Sequence, residues 1–388
     1  MRILLLSFYF EPDLCAGSFR ATALARALAA RLGAGGGVQV LTTQPNRYRS
    51  YSRSADPVQS QPGLDIRRFA LPSHRSGFVD QSRAFASYAR QVLRHVRIAH
   101  YDCVVATSSR LMTAFLAALV ARRKNLPLYL DLRDIFVDIV EDILPAAQAI
   151  FLLPWFRLIE RYTVHTATRI NLVSEGFRPY FDEHYPGKGY SYVPNGIDEE
   201  FYGVDFDRRQ QAGQRLIVLY PGNLGEGQGL HRIVPGLAAA MQHTHEFWIV
   251  GDGGARAKLA SATQGLDNVK LMPPVGRAEL LEIYRACDIL FLHLNDYPAC
   301  RRVLPSKLFE FAAVGKPVLA GVSGHAAAFL QRLPGVALFP PCDVPAAVAA
   351  LRGLGAGSID RTEFVTAYRR ARLMQELSAD ILSHCAPK

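Results

Sequence analysis

The chain is 388 residues long, more than one hydrophobic core ordinarily holds, so two domains are expected. A composition that is 49% hydrophobic and 20% charged excludes an intrinsically disordered chain, and the longest apolar run, 111–121, is too short to span a bilayer. The net charge of +10 asks for an anionic partner: nucleic acid, a phosphate-bearing ligand or an acidic membrane face.

The opening MRILLLSFYFEPD has one arginine, a short apolar run and no small-residue cleavage site, which predicts a first strand over Ile3–Ser7 rather than a signal peptide. The loop after it offers only Gly17 before a helical pattern at Phe19–Arg31. There is no GxGxxG at this junction and no GxxxxGK[ST] anywhere, which argues against an ordinary dinucleotide enzyme and a P-loop hydrolase. Further strands are predicted at Val38–Thr42, Ile66–Phe69, Val104–Thr107, Leu128–Leu132 and Ile170–Val173, with helices at Gln81–Arg97 and Arg110–Arg123. The six cysteines are scattered without CxxC spacing, which argues for a reducing compartment and against a zinc site. The expected localisation is cytoplasmic.

A polar segment around Pro194, Asn195, Gly196 and Gly213 separates this half from a second alternation. Its strands are predicted at Leu216–Tyr220, Phe247–Val250, Val269–Met272, Ile289–Leu292, Val318–Ala320 and Val336–Leu338, and Thr362–Cys385 reads as one long helix. Continuous apolar strands are covered on both faces, so the fold class is α/β with parallel sheets. Expected are two Rossmann-like, doubly wound domains facing a cleft. Residues 1–198 would form an N-terminal acceptor-side domain and 199–360 a nucleotide-sugar-binding one, with 361–388 a helix packing back across the junction.

Glycine marks the loops that follow these strands: YPGNLGEGQGL at 220–230 and VGDGG at 250–254. Glycines serve tight turns anyway, yet two such loops also let backbone N–H groups approach an oxyanion. The segment PSKLFEFAAVGKPVLA, 305–320, opens a helix on Pro305 and Ser306 and puts Lys307 at its start. A lysine there opposes the helix dipole, but it is useful if a bound phosphate sits at the tip.

Together with VPNGID (193–198) and ACDILFL, these stretches resemble a family-4 glycosyltransferase of GT-B fold. GNLGEGQGL, PSKLFE, YFEPDLCAGSFRA and DLRDIF are similar to the bacterial O-antigen and capsule branch, which includes enzymes transferring N-acetylfucosamine-type sugars. The resemblance implies a retaining, metal-independent transfer from a nucleotide sugar, read as a UDP-sugar, with no further cofactor. The acceptor it implies is a lipid-linked saccharide or lipopolysaccharide. Glu310 matches the second glutamate of an E-x7-E motif, which holds the ribose hydroxyls; its plainer reading is a glutamate favoured at a helix N-terminus. Ser306 and Lys307 would hold the diphosphate, Gly17 would approach the β-phosphate, and Gly251 and Val275 would lie near sugar and base. Gly222 belongs to the same glycine loop.

Three departures stand out. Arg302 replaces the first glutamate of E-x7-E, leaving the donor sugar open. Asn223 and Gln228 stand where many relatives carry arginine and lysine, so diphosphate charge would come from Lys307, Arg301, Arg302 or Arg20. Arg133 and Asp134 stand where many relatives place a histidine; they are either a loop salt bridge or the acceptor-side catalytic pair. Two rival functions share the fold: a sugar-nucleotide epimerase and a non-catalytic nucleotide-sugar-binding or scaffold protein.

Arg90, Arg94 and Arg97 form one helical stripe, either a solvated face or a docking surface for an anionic leaflet. The apolar stretch 143–156, with Trp155 and Phe156, reads as a core helix, with immersion in the membrane interface as the alternative. Nucleic-acid binding fits the charge but has no motif behind it.

Overall fold

The computed structural model describes residues 1–46, 54–72, 78–108, 110–138, 146–207 and 213–385. These form two compact units, one comprising residues up to Asn195 together with those from Arg370 onward, the other Gly196–Arg369.

The first unit runs β1 (Arg2–Leu6), α1 (Ala16–Leu32), β2 (Gly37–Thr43), β3 (Val58–Gln61), β4 (Leu64–Phe69), α2 (Phe78–Val96), β5 (Cys103–Ser108), α3 (Leu111–Lys124), β6 (Leu128–Leu132), α4 (Ala146–Thr166), β7 (Arg169–Leu172), α5 (Arg178–His184) and β8 (Tyr190–Ser191). The sheet order is β3-β4-β2-β1-β5-β6-β7-β8. Every pairing is parallel except β3 with β4. Ile3 to Leu6 and Val104 to Ala106 are wholly buried, as strands covered on both faces must be. α2 turns Ala84, Tyr88, Val92 and Val96 inward at a spacing of four and leaves Arg90 and Arg94 exposed.

The second unit runs β9 (Leu216–Pro221), α6 (Leu230–Ala240), β10 (His245–Val250), α7 (Arg256–Ala262), β11 (Val269–Met272), α8 (Arg277–Ala286), β12 (Ile289–His293), α9 (Lys307–Val314), β13 (Val318–Gly321), α10 (Gly324–Leu330), β14 (Val336–Phe339), α11 (Val344–Arg352) and α12 (Thr362–Ala367). Its wholly parallel sheet is ordered β11-β10-β9-β12-β13-β14. One core layer gathers Leu219, Leu290, Phe309 and Ala320, and the opposite face gathers Val218, Ile233, Phe247 and Leu319. Strand order reverses between β9 and β12 here, and between β1 and β5 in the first unit. In sheets of this kind ligands bind at such reversals, outside the carboxyl ends of the strands.

The C-terminal segment is not the single helix expected. It breaks at Tyr368–Arg369, because the Tyr368 carbonyl accepts the Ile197 N–H at 2.9 Å and Arg369 forms a bridge with Ile197. The remaining helix, α13 (Arg370–Cys385), belongs to the first unit. Tyr129 and Ser191 donate to Asp380, Arg31 Nε reaches Ser378 Oγ at 3.2 Å, and Cys385 is disulfide-bonded to Cys103. Their separation of 282 residues hid that pair from a reading based on spacing. The unit boundaries therefore fall at Asn195/Gly196 and Arg369/Arg370, not at 198/199 and 360/361.

Candidate functional site

In the second unit, Gly222 follows β9 with φ 140°, and Gly251 follows β10 with φ 145°, backbone angles that favour glycine. The two loops lie backbone against backbone: a Cβ on Gly251 would come within 1.8 Å of the Gly222 carbonyl oxygen. A Cβ on Gly222 would meet Lys307 Nζ at 1.7 Å. The ammonium also sits 5.3 Å from the centroid of the Tyr220 ring. Gly222, Gly251 and Lys307 are thus brought together at the ends of β9 and β10. Pro305 and Ser306 open α9 as expected; the Ser306 hydroxyl makes no capping bond to the helix. Val275 packs, half-buried, on the core layer just ahead of α8.

Asn223 and Gln228 are committed to the loop itself. Asn223 Nδ2 donates to Gln228 Oε1 at 2.8 Å, and the Gly225 N–H reaches the same oxygen at 3.1 Å. His293 secures the loop's far end. Burial pushes its pKa down to about 4, so the ring is neutral near pH 7. Its Nε2 accepts the Cys342 N–H at 3.0 Å, which leaves Nδ1 to donate to the Gln228 carbonyl at 2.6 Å. Spacing gave no indication of this histidine.

Glu310 lies in the first turn of α9 but is not an isolated acid. Tyr284 Oη donates to Oε2 at 3.0 Å and Arg277 Nη1 to Oε1 at 3.1 Å. Arg277 also reaches Asp198 at 2.9 Å and pairs with Glu200. Burial opposes the charge on Arg277, yet the three carboxylates outweigh it and raise its pKa. Burial, then Glu310, raises that of Tyr284. Both donors sit on one face of α8, seven residues apart, a periodicity legible in the sequence. The carboxylate is held rigidly, and two oxygens with about four lone-pair sites can still accept more than these two bonds.

Arg301 is not brought into this group: it forms an exposed pair with Asp296 at 3.2 Å. Arg302 ends the short 3₁₀ turn Ala299–Arg302 and is half-buried.

In the first unit, Arg20 must be reassigned. It is 0% exposed and donates to both oxygens of Asp131, at 2.7 and 2.8 Å, and to the carbonyls of Val193 and Pro194. Burial alone would raise the Asp131 carboxyl, but Arg20, Thr107 and Asn171 more than offset it and hold its pKa low. The arginine bolts α1 to β6 and to the end of β8; its donors are spent on the protein, not on a diphosphate.

Gly17 and Arg133 do come together. A Cβ at position 17 would fall 2.0 Å from Arg133 Nη1, so the glycine is what lets the guanidinium lie over the opening of α1. Burial lowers the arginine's pKa. Asp134 lines a small cavity with Arg110, Leu132, Glu160 and Phe181. Burial in these surroundings raises its pKa to about 6, with Arg133 pulling the other way. A carboxyl so placed changes charge near neutrality, as a general base does.

Residues 17–196 match the family described as glycosyl transferase 4-like domain, and 215–355 match glycosyl transferases group 1. WcaI of Escherichia coli K12, a glycosyl transferase named for colanic acid biosynthesis, is 32% identical over 143 residues. That match covers 36% of this chain and 35% of WcaI, so it spans about a third of that relative's length. Among solved structures, sucrose-phosphate synthase from Thermosynechococcus elongatus superposes with a TM-score of 0.68 at 16% identity, covering 99% of this chain and 96% of that one. WaaG, a glycosyltransferase involved in lipopolysaccharide biosynthesis, gives 0.64 at 16% over 97% and 95%. HepE of Anabaena, solved with UDP and glucose, gives 0.64 at 16% over 99% and 97%. Likeness at these identities establishes the GT-B fold.

Proposed function

Since the chain is a glycosyltransferase of the GT-B type, with a 4-like domain followed by a group 1 domain, we propose that it transfers a sugar from a nucleotide diphosphate to a lipid-linked saccharide or lipopolysaccharide acceptor. The observation that carries this reading is the seating of Lys307 Nζ over Gly222, beside the Gly251 loop and at the start of α9. There a cation, a helix tip and glycine backbone lie close together, where one pyrophosphate would meet all three. HepE was solved with UDP and glucose, which supports UDP as the carrier. WaaG and WcaI, by their names, support a polysaccharide or lipopolysaccharide product.

Glu310, steadied by Arg277 and Tyr284, would accept the ribose hydroxyls with its remaining lone pairs. Lys307 and the α9 tip would take up the charge that grows on the leaving diphosphate, the role a metal plays elsewhere. Asp134 would orient or deprotonate the acceptor hydroxyl. Retention, which the family resemblance implies, would proceed by departure and attack on one face of the sugar. Arg302, in place of an acid, would suit a different or acidic donor sugar; the N-acetylated deoxyhexose is the one that the family resemblance implies. The acceptor's lipid would bring the enzyme to the inner leaflet, where its net charge of +10 favours anionic lipid.

The test is a panel of UDP-, GDP- and dTDP-sugars with and without a lipid-linked acceptor, following nucleotide release and sugar transfer. Release and transfer that both require acceptor are expected. Turnover of donor without acceptor would replace transfer by epimerisation, and binding without turnover would leave a scaffold.

A further inference from the structure

Among the described residues, six large apolar side chains are conspicuously exposed, and four lie within nine residues of α4: Ile150 at 70%, Phe151 at 76%, Trp155 at 68% and Leu158 at 59%. At 100° per residue they fall in an arc of about 140°. The opposite side of α4 is anchored in the first unit. Leu153 packs on Val137 and Phe156 meets Phe136 at 5.4 Å between ring centroids, while past the end of the arc Tyr162 meets Phe115 at 5.7 Å. The exposed arc is therefore a displayed face and not a frayed end. For Ile150, Phe151 and Trp155 this overturns the core-helix reading, which holds for Leu153; 143–145 lie outside the described residues.

The charges on that face have one sign. Arg157 and Arg161 are exposed on and beside the arc, whereas the helix's one acid, Glu160, is turned inward to accept from Tyr180 and Tyr185. A tryptophan and a phenylalanine among aliphatic residues, bordered by arginines and with no exposed carboxylate among the described residues of the helix, is the composition of a helix lying in a lipid headgroup layer. A second copy of a chain with net charge +10 fits less well, because it would bring more arginine against arginine. No described helix is long and apolar enough to cross a membrane, so contact of this kind would be peripheral.

We infer that the exposed face of α4 docks on an anionic phospholipid surface, with Ile150, Phe151, Trp155 and Leu158 immersed and Arg157 and Arg161 against the phosphates. This gives the membrane contact proposed above a location; it rests on that reading only for its purpose. The assay uses the full chain and no donor, so its failure is distinct from a failure of nucleotide binding.

The test is co-sedimentation with phosphatidylglycerol and with phosphatidylcholine vesicles. In a W248F background, where Trp155 is the remaining tryptophan, its emission is also followed. Expected are binding to the anionic vesicles, a blue shift of Trp155, and partitioning weakened on the order of a hundredfold in F151S/W155S/L158S. R157E/R161E should bind weakly and lose most of its salt dependence. Thermal melts of F151S/W155S/L158S should match wild type, because these three side chains are exposed. The inference is overturned if wild type ignores both vesicle types, if the serine variant sediments as wild type does, or if light scattering shows a lipid-free dimer that the serine variant dissolves.

Discussion

The most informative single side chain is Glu310, whose oxygens are already engaged by Arg277 and Tyr284. If its remaining lone pairs hold two ribose hydroxyls, Glu310→Ala weakens nucleotide binding by about 1–3 kcal/mol. Arg277→Met should act through it, raising KM for the donor while kcat changes little, with partial rescue by lysine. Calorimetry and initial rates check both, and an unchanged affinity in E310A refutes the ribose role. Asp134 makes a prediction in pH. Its carboxyl, raised to about 6, is protonated below that value and charged above it. As a base it makes the rate rise as pH climbs through about 6, and Asp134→Asn should be slow with that limb gone. The same shift costs folding stability as pH rises through this range, since the folded state favours the proton, so D134N should also flatten that part of the stability curve.

At the scale of elements, the Arg20–Asp131 bolt joins α1 to β6 with both partners fully buried. Removing one partner strands the other charge, so Arg20→Met should cost about 3–5 kcal/mol in a denaturant melt. Because the Asp131 pKa is held low, the stability it contributes is present above its unfolded value and is lost as pH falls through the folded one. A melt unaffected by R20M would show that the pair is not structural. The strands were legible because their apolar runs are continuous. β3, Val-Gln-Ser-Gln at the sheet edge, was not, since an exposed edge strand needs no apolar pattern. Glycines signalled the site loops and Lys307 the helix tip, but the partners of Glu310 come from a different helix. Arg20 misled because an arginine in a loop-to-helix segment looks the same whether it faces ligand or core; only Asp131, 111 residues on, decides it.

For the whole molecule, one arrangement recurs in both units: a sheet, parallel apart from the β3 edge of the first unit, whose order reverses, with glycine at the reversal and a cation laid across it. In the first unit the cation is Arg133 over Gly17, and in the second it is Lys307 over Gly222. The family matches divide the chain in the same way. The central claim is that the second arrangement grips the pyrophosphate of an activated sugar. Titration calorimetry with UDP, comparing wild type with Lys307→Ala, tests it most directly. Saturable one-to-one binding that K307A weakens by about 1.5–3 kcal/mol is predicted. No heat with UDP, GDP or dTDP, or an affinity indifferent to the lysine, would contradict it.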